Sequence, residues 1–265
     1  MTYTIVFFHA HPDDEAIATG GTMARAKRDG HRVVLVSATR GELGEFAPDV
    51  LTPGESLIDR RVAELHAAAE VLGVDRVEFL GYRDSGMAGE PTNDDPESFW
   101  RADIDEAARR LARLLDDEQA DVLTVYDENG NYGHPDHIQV HRVGLRAAEL
   151  AGTKRVYEAT ANRDHLRRLM ELVPRDPDAP EVPADLESLG TTEDQITTTI
   201  DVREFVDAKR NAMIAHASQI PDDSFFLQLP ADAFREAFGW EWFIRRDVPR
   251  TQRETSLFDG LDAPA

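Results

Sequence analysis

The chain has 265 residues, 41% of them hydrophobic, which is enough for a substantial core in one large α/β domain or two small domains. Its 29 basic and 51 acidic residues give a net charge of −22. This charge argues against nucleic acid or an anionic membrane as a partner, because both are polyanions. The sequence contains no cysteine, so disulfides, thiolate metal ligands and a cysteine nucleophile are excluded.

We expect neither a secretory signal nor a membrane span from the sequence. Its first five residues, Met-Thr-Tyr-Thr-Ile, include no basic region, and no apolar run approaches the roughly 20 residues that cross a bilayer. We therefore expect a cytoplasmic protein. The composition gives no prediction of the oligomeric state.

Predicted strands and helices alternate along the chain as far as residue 173. The strands cover residues 3–8, 31–38, 74–80, 121–126 and 154–159, and the helices cover residues 15–29, 56–72, 99–117, 137–150 and 163–173. Runs rich in β-branched residues, such as 31–38, are typical of parallel strands that are covered on both faces. The alternation predicts an α/β protein with a parallel sheet and right-handed crossovers.

Glycines mark two positions in these helices. Gly20 and Gly21 weaken the first helix, which indicates close packing against a neighbour or a ligand. Gly73 directly follows the helix at 56–72 and predicts a left-handed cap.

The alternation stops at residues 174–185, which contain four prolines among acidic residues and predict a surface loop or a short insertion. Beyond this segment we predict a strand at 196–202, a helix at 203–218 and an aromatic strand at 239–246. The residues after Val248 are polar and predict a mobile tail.

Two segments that contain His-Pro-Asp each follow an apolar, strand-like run. They are His-Ala-His-Pro-Asp-Asp-Glu at 9–15 and Asn-Tyr-Gly-His-Pro-Asp-His at 131–137. Ligands of open α/β sheets bind beyond the carboxyl ends of the strands, where both segments are predicted to lie. A catalytic zinc takes three protein ligands, commonly imidazoles and carboxylates. His11, Asp14 and His137 would supply such a set for zinc, with iron(II) as the alternative metal.

Each segment taken alone has a structural alternative. An Asp after Pro at a helix start is a common N-cap, and carboxylates suit the positive end of the helix dipole. Capping does not explain the histidines, and the occurrence of two such segments favours a metal site.

The remaining polar residues of these segments have predicted roles in hydrolysis. Asp13 has no ligand role and is predicted to be the general base, which accepts the proton of water and passes it to the leaving amine. His134 faces the same side as His137 and could be a fourth ligand, a support for a ligand, or a donor to the developing oxyanion. We favour the donor, with Tyr132 as a helper, and expect Asp136 either to orient a ligand imidazole or to cap the helix.

Other histidines are predicted to have structural roles. His141 lies four residues after His137 and is interpreted as a helix-packing residue. His9 alternates with His11 along the strand and therefore points to the opposite face, towards the core. No partnering pattern is evident for His31, His66, His165 and His216.

Two further residues have weaker signals. Asp84 lies in a polar loop at the carboxyl end of a strand, where a polar substrate would bind. Arg61, judged from its own pattern, is a helix-surface arginine.

The two His-Pro-Asp segments, with Arg-Asp-Ser-Gly-Met at 83–87, closely resemble the LmbE-like, or PIG-L, N-acetylglucosaminyl deacetylases. The likeness covers residues 3–160 and is greatest to the actinobacterial group that includes the mycothiol-pathway deacetylase and the mycothiol S-conjugate amidase. It implies a Rossmann-like three-layer fold and zinc-dependent hydrolysis of the acetamido group of a glucosamine-type sugar. The expected partner is thus a small amino-sugar glycoside.

The resemblance also implies roles for individual residues and segments. It assigns the metal ligands to His11, Asp14 and His137, the acid/base role to Asp13, oxyanion stabilisation to His134 with Tyr132, and substrate contacts to Arg61 and Asp84. It implies a catalytic core over residues 1–173 and a C-terminal extension of the same domain over 174–265 that completes the fold and the pocket mouth. The chain departs from the mycothiol enzymes at residues 16–21 and in this extension.

Three alternatives to a deacetylase remain at this point. An amidase that removes a larger acyl group from a glucosamine conjugate would have the same metal site. A non-catalytic sugar-binding protein would need the ligands but not Asp13. A nucleotide site is the weakest alternative, because the first strand is not followed by Gly-x-Gly-x-x-Gly and offers no phosphate cradle.

Overall fold

The computed structural model describes residues 1–47, 49–172 and 186–261, so the predicted proline-rich break at 174–185 lies outside the described residues. Within these ranges, seven strands form one sheet. In chain order the strands are β1 Thr4–His9, β2 Arg32–Ser37, β3 Arg76–Phe79, β4 Val122–Tyr126, β5 Arg155–Thr160, β6 Thr198–Asp201 and β7 Trp240–Arg245. Their spatial order is β3-β2-β1-β4-β5-β7-β6.

Strands β1 to β5 are parallel, and their order 3-2-1-4-5 is that of a Rossmann-like sheet. The predicted α/β fold with a mostly parallel sheet is therefore confirmed. Strand β7 departs from the predicted alternation, because it runs antiparallel to both β5 and β6. Its apolar pattern indicates burial on the sheet but carries no information on strand direction.

Helices cover both faces of the sheet. Within the described ranges they are α1 Asp14–Ala18, α2 Gly20–Arg28, α3 Leu57–Leu72, α4 Ile104–Asp117, α5 Gly130–Gly133, α6 Pro135–Ala151, α7 Arg163–Leu172, α8 Val206–Ala215, α9 Phe225–Gln228 and α10 Ala231–Phe238. Successive residues of β1 point to opposite faces. Ile5 and Phe7 pack with α2, α3 and α8, whereas Val6 and Phe8 pack with α4 and α6. These contacts produce the three predicted layers.

The helix predicted at 15–29 is two helices, α1 and α2, separated at Thr19. Thr19 has φ −138°, outside the helical range, and its Oγ1 lies 2.8 Å from His9 Nε2. The first turn of α2 then packs closely against the residue that follows β6, since a Cβ atom on Gly21 would lie 2.5 Å from Val202 Cβ. The close packing predicted from the two glycines is confirmed at Gly21, whereas a Cβ atom on Gly20 would make its nearest contact at an ordinary 3.4 Å.

Capping residues set the ends of the helices that flank the site. Ser56 accepts the Asp59 N–H at 3.1 Å at the start of α3, and Gly73 ends that helix with the predicted left-handed φ, 74°. Helix α6 begins at Pro135, earlier than predicted, because His134 is its N-cap and proline suits the first helical position.

The residues after Val248 are packed against the sheet, so the predicted mobile tail is wrong for 249–261. Thr199 N–H donates to Glu254 O at 3.0 Å, and Glu254 N–H donates to Thr197 O at 2.8 Å. Leu257 is 1% exposed. The three large apolar residues of this segment, Leu257, Phe258 and Leu261, are too few to give a periodic signal, which is why composition suggested a tail. In the part of the chain that the structure describes, no helix is long and apolar enough to cross a membrane.

Candidate active site

The two His-Pro-Asp segments meet at the point where the strand order of the sheet reverses. Strand β1 pairs with β2 on one side and β4 on the other, and the segments follow β1 and β4. Ligands of doubly wound sheets bind at such a point. The ring centroid of His11 lies 4.7 Å from that of His134 and 5.5 Å from that of His137. Topology therefore brings together histidines that are far apart in the chain.

Asp14 lies between two of these imidazoles. Its Oδ2 accepts the His11 backbone N–H at 2.9 Å and lies 3.4 Å from His11 Nδ1, while Oδ1 lies 3.3 Å from His137 Nε2. Burial opposes ionisation of this carboxyl, but the neighbouring His137 and His11 hold its pKa well below the usual range. Asp14 is thus a carboxylate that faces both histidines predicted to be ligands.

The position of His134 follows from its place at the start of α6. As the N-cap residue, it directs Nδ1 towards the backbone N–H of Asp136, which donates to it at 3.1 Å. Burial lowers the pKa of His134 to about 4, with the nearby His11 and His137 acting in the same direction. The ring is therefore neutral, with its proton on Nε2.

Asp136 and Ser85 support His11 from its other side. Asp136 Oδ2 lies 3.2 Å from His11 Nε2 and accepts the Ser85 N–H at 2.9 Å, and Ser85 Oγ donates to Asp136 Oδ1. Metal-binding histidines commonly donate their second ring N–H to a carboxylate. Asp136 thus links His11 Nε2 to Ser85, a contact of the kind expected for a residue that orients a ligand imidazole. Ser85 belongs to the 83–87 motif but had no predicted role.

Asp84 lies beside the same imidazole. Its Oδ1 is 3.5 Å from His11 Nε2 and accepts the Gly86 N–H at 2.9 Å, and its Oδ2 accepts the Leu43 N–H at 3.3 Å. The carboxylate is 7% exposed. Two main-chain amides thus fix Asp84 at the edge of the cluster.

Asp13 has an unusual backbone conformation, with φ 123° and ψ −33°. Non-glycine residues in such regions cost on the order of 1–3 kcal/mol and persist only where the surroundings fix them. The Asp13 N–H donates to Glu15 Oε2 at 3.0 Å, and its carboxylate lies 3.3 Å from Arg61 Nη2. Burial raises the pKa of Asp13 to about 6, against the opposing effect of the Arg61 charge.

Arg61 is 3% exposed, so its interpretation as a helix-surface arginine is wrong. Nη1 donates to Gly41 O at 2.7 Å and Nη2 donates to Pro12 O at 2.5 Å. The loop that follows β2 covers this position of α3, which no helical periodicity reveals. Arg61 ties that loop to the segment after β1.

Tyr132 lies at the open side of the cluster, with 47% of its surface exposed. Its hydroxyl is 3.5 Å from His137 Nε2, and burial of the hydroxyl raises its pKa, which keeps it protonated. The preceding Asn131 has φ 62°, and its N–H donates to Asp127 Oδ1 at 2.9 Å. Asp127 thus shapes the short helix α5 that presents Tyr132.

The buried cluster has the composition of a metal site. Among the described residues, donor atoms lie within 4.8 Å of one another in the group His11, His134 and His137 and in the group His11, Asp84 and Asp136. Nitrogen and oxygen donors of this kind bind divalent zinc or iron. The buried Nδ1 of His137 has no hydrogen-bond partner within the described ranges. The ring can therefore adopt the tautomer with its proton on Nδ1, in which the lone pair of Nε2 is available to a metal ion.

Outside the cluster, His9 and His141 have the structural roles expected of them. His9 Nδ1 lies 2.8 Å from Tyr126 Oη, and His141 Nδ1 lies 2.9 Å from Tyr126 O. His216 has a partner although the sequence showed no partnering pattern for it, because its Nε2 lies 2.5 Å from Glu15 Oε1. The only signal in the sequence was Glu15 itself, a third consecutive acid with no assigned role.

The fold and this site define an α/β protein of the LmbE-like, Rossmann-like type with a buried His/Asp metal site at the switch point of its sheet. The family model PIG-L, described as GlcNAc-PI de-N-acetylase, matches residues 6–148, which include both His-Pro-Asp segments. The chain belongs to this family.

Curated relatives match along nearly the whole chain. A 1D-myo-inositol 2-acetamido-2-deoxy-alpha-D-glucopyranoside deacetylase from Thermomonospora curvata is 41% identical, over 97% of this chain and 96% of the relative. A protein of the same name from Acidothermus cellulolyticus is 40% identical, over 99% of this chain and 96% of the relative. The similarity therefore includes the C-terminal third, so the prediction that the likeness is confined to residues 3–160 is wrong.

Solved structures share the fold at lower identity. The N,N'-diacetylchitobiose deacetylase from Pyrococcus horikoshii has a TM-score of 0.61 at 21% identity, covering 97% of this chain and 88% of that one. A 4-carboxy-2-hydroxymuconate hydratase from Pseudomonas putida has a TM-score of 0.59 at 22% identity, covering 96% and 100%. Because a deacetylase and a hydratase share this fold, the fold alone does not determine the reaction.

Proposed function

We propose that this protein is a metal-dependent deacetylase that hydrolyses the acetamide of 1D-myo-inositol 2-acetamido-2-deoxy-alpha-D-glucopyranoside, here called GlcNAc-inositol. Two relatives that match along nearly their whole length, at 40% and 41% identity, are deacetylases named for this substrate. The observation that carries the reaction type is the position of Asp13, a buried carboxylate next to the cluster that Arg61 holds in place. A sugar-binding protein would have no use for it.

We assign the metal to His11, Asp14 and His137. His134 is not included because its Nδ1 lone pair accepts the Asp136 N–H, which leaves a proton on Nε2. Asp136 and Asp84 are engaged by main-chain amides and support His11 from outside. Two imidazoles and one carboxylate suit zinc and also iron(II). We propose zinc as the first metal to test.

When bound, the metal would polarise the acetamide carbonyl and lower the pKa of water. Asp13 accepts a proton from the attacking water as the new C–O bond forms. It then donates this proton to the sugar nitrogen as the C–N bond breaks, so that acetate and a primary amine leave. The attacking water thus supplies both the oxygen of acetate and the proton of the amine.

Two side chains stabilise the charge that develops on the acetamide oxygen. His134 donates from Nε2, since its Nδ1 is fixed as an acceptor. Tyr132, the exposed residue of α5, donates from its hydroxyl, which lies 3.5 Å from His137 Nε2. The raised pKa of Tyr132 keeps its hydroxyl protonated and able to donate, and the neutral His134 ring keeps its one proton on Nε2.

We propose that Arg61 and Asp84 contact the sugar at the edge of the cluster. Their side chains are fixed by main-chain partners, so little conformational entropy is lost when a polar substrate binds. We also propose that residues 174–265 belong to the same domain as the core. The pairing of β7 with β5 supports this, because it continues one sheet.

The test is acetate release from GlcNAc-inositol by the purified protein, measured before and after removal of metal with a chelator. A panel of GlcNAc glycosides and of glucosamine conjugates with larger acyl groups accompanies it. We expect chelator-sensitive release that is restored by zinc or iron(II), with GlcNAc-inositol the best substrate. The metal that gives the higher turnover, together with the metal content of the protein as purified, decides between the two ions.

Two outcomes would contradict the proposal. Release of only the larger acyl groups would identify an amidase with the same metal site. Binding of GlcNAc-inositol without release from any compound, in protein that contains metal, would identify a sugar-binding protein.

A further inference from the structure

A buried Glu–His pair connects the C-terminal third of the chain to the segment after β1. His216, the C-cap residue that directly follows α8, places Nε2 2.5 Å from Glu15 Oε1. The other oxygen, Glu15 Oε2, accepts the backbone N–H of Asp13 at 3.0 Å. Both Glu15 and His216 are 0% exposed. The carboxylate is therefore held between an imidazole and a main-chain amide, away from solvent.

The amide that Glu15 accepts belongs to the residue with the strained backbone. With φ 123°, Asp13 has a conformation that L-residues rarely adopt. Rotation of φ towards negative values would turn the N–H away from Glu15, so this hydrogen bond opposes relaxation of the strain. The Asp13 carbonyl is fixed separately, because it accepts the Ala16 N–H at 3.1 Å at the start of α1.

The direction of a side chain depends on its own φ and ψ. A change at Asp13 would therefore move its carboxylate away from Arg61 Nη2 and from the cluster. Catalytic groups must be held within about 0.5 Å of their productive position. A contact that fixes this backbone can therefore affect turnover without touching the substrate.

We propose that His216 is a positioning residue that acts through Glu15 to hold the backbone of Asp13, and hence its carboxylate, in the conformation needed for proton transfer. This inference rests on the proposed function, in which Asp13 is the general base. Within the described ranges His216 Nδ1 has no hydrogen-bond partner, so the ring acts through its bond to Glu15.

The chain offers a matched control in Ser218. This residue is 4% exposed and lies in the same segment, and its Oγ donates to Glu64 Oε2 at 2.6 Å. Ser218→Ala removes a buried hydrogen bond but leaves the contacts of Asp13 and Glu15 unchanged. It measures the general effect of weakening this segment.

The experiment compares His216→Ala, His216→Gln and Ser218→Ala with the wild type. Hydrogen exchange of the Asp13 amide, followed by NMR, reports the bond to Glu15 without any need for turnover. We expect exchange to be at least tenfold faster in His216→Ala than in the wild type. Exchange should be near the wild-type rate in His216→Gln, whose side-chain N–H can still donate to Glu15, and in Ser218→Ala.

Turnover and metal content are both measured on the same proteins. We expect kcat of His216→Ala to fall at least tenfold, with KM within twofold of the wild type and the metal content unchanged. His216→Gln should restore most of kcat. Ser218→Ala should lower Tm but leave kcat within twofold.

Unchanged exchange of the Asp13 amide in His216→Ala, or an equal loss of kcat in Ser218→Ala, would overturn the proposal. If His216→Ala does not fold, His216→Leu takes its place in the comparison with His216→Gln, because leucine fills much of the volume of the ring but cannot donate to Glu15. A wild-type protein that releases no acetate would contradict the proposed function, and the exchange measurement would still decide whether His216 fixes Asp13.

Discussion

The Nδ1 atom of His134 accepts the backbone N–H of Asp136 at 3.1 Å. A neutral imidazole has one N–H and one lone pair, so this bond fixes the proton on Nε2. His134 can therefore donate a hydrogen bond from Nε2, but it cannot also bind a metal through that atom. His137, which is three residues further along α6, has no such restriction on Nε2.

Substitution of these two histidines should separate the donor from the ligand. We expect His134→Ala to keep its metal and to lose about 10²–10³ in kcat, as is typical when an oxyanion donor is removed. His137→Ala should lose both metal and turnover. Metal analysis of the two purified variants, with kcat for GlcNAc-inositol, makes the comparison. Loss of metal from His134→Ala would make His134 a ligand.

The role of Asp13 can be tested with a change that preserves its size. Asn at this position keeps the N–H that Glu15 accepts, and Asn tolerates positive φ better than most residues. We expect Asp13→Asn to retain its metal and lose about 10²–10⁴ in kcat, because an amide cannot accept the proton of water. Steady-state kinetics and metal analysis provide the measurement. A kcat within threefold of the wild type would rule out Asp13 as the base.

Gly20 and Gly21 should respond differently to the same added methyl group. A Cβ atom on Gly21 would lie 2.5 Å from Val202 Cβ, whereas one on Gly20 would make its nearest contact at 3.4 Å. We expect Gly21→Ala to lower the free energy of unfolding by about 1–3 kcal/mol through overpacking. Gly20→Ala should be neutral or slightly stabilising, because alanine favours the helix. Urea unfolding of both variants checks this, and Val202→Ala should restore the stability of Gly21→Ala.

Glu158 on β5 should make the stability depend on pH. Its carboxyl is buried beside Arg246, and burial raises its pKa to about 7 from an ordinary 4.5, against the effect of Arg246 and with Asp127 and Glu128 acting in the same direction as burial. The folded state therefore holds a proton that the unfolded state releases between these two pH values. Stability from this group is present below about pH 4.5 and is lost as the pH rises through 7.

Glu158→Gln removes this titration and keeps a side chain of the same size. The wild type should lose stability relative to the variant as the pH rises from 5 to 7. The difference between their free energies of unfolding should change by up to about 1.4 kcal/mol per pH unit. Urea unfolding of both proteins at pH 5, 6, 7 and 8 measures the difference. A difference that stays constant across this range would show that the carboxyl has no raised pKa in the folded protein.

The sequence by itself determined the seven strands and the place of the chemistry, but not the split of the first helix or the two short helices α9 and α10. The His-Pro-Asp segments at 9–15 and 131–137 each follow an apolar run that forms a strand. Parallel strands bring their carboxyl ends, and hence these two segments, to one edge of the sheet. The helix ends at Ser56, Gly73 and Pro135 could also be predicted, because capping depends on residues that are adjacent in the chain.

Only the tertiary structure decided how these side chains are held. Arg61 reads as a surface residue until the loop after β2 covers it, and His216 has no signal until α8 brings it 2.5 Å from Glu15. The direction of β7 likewise depends on its neighbours and not on its own pattern. Periodicity reports which face of an element is buried, but a hydrogen bond between distant residues forms only when the packing of whole elements sets the distance between them.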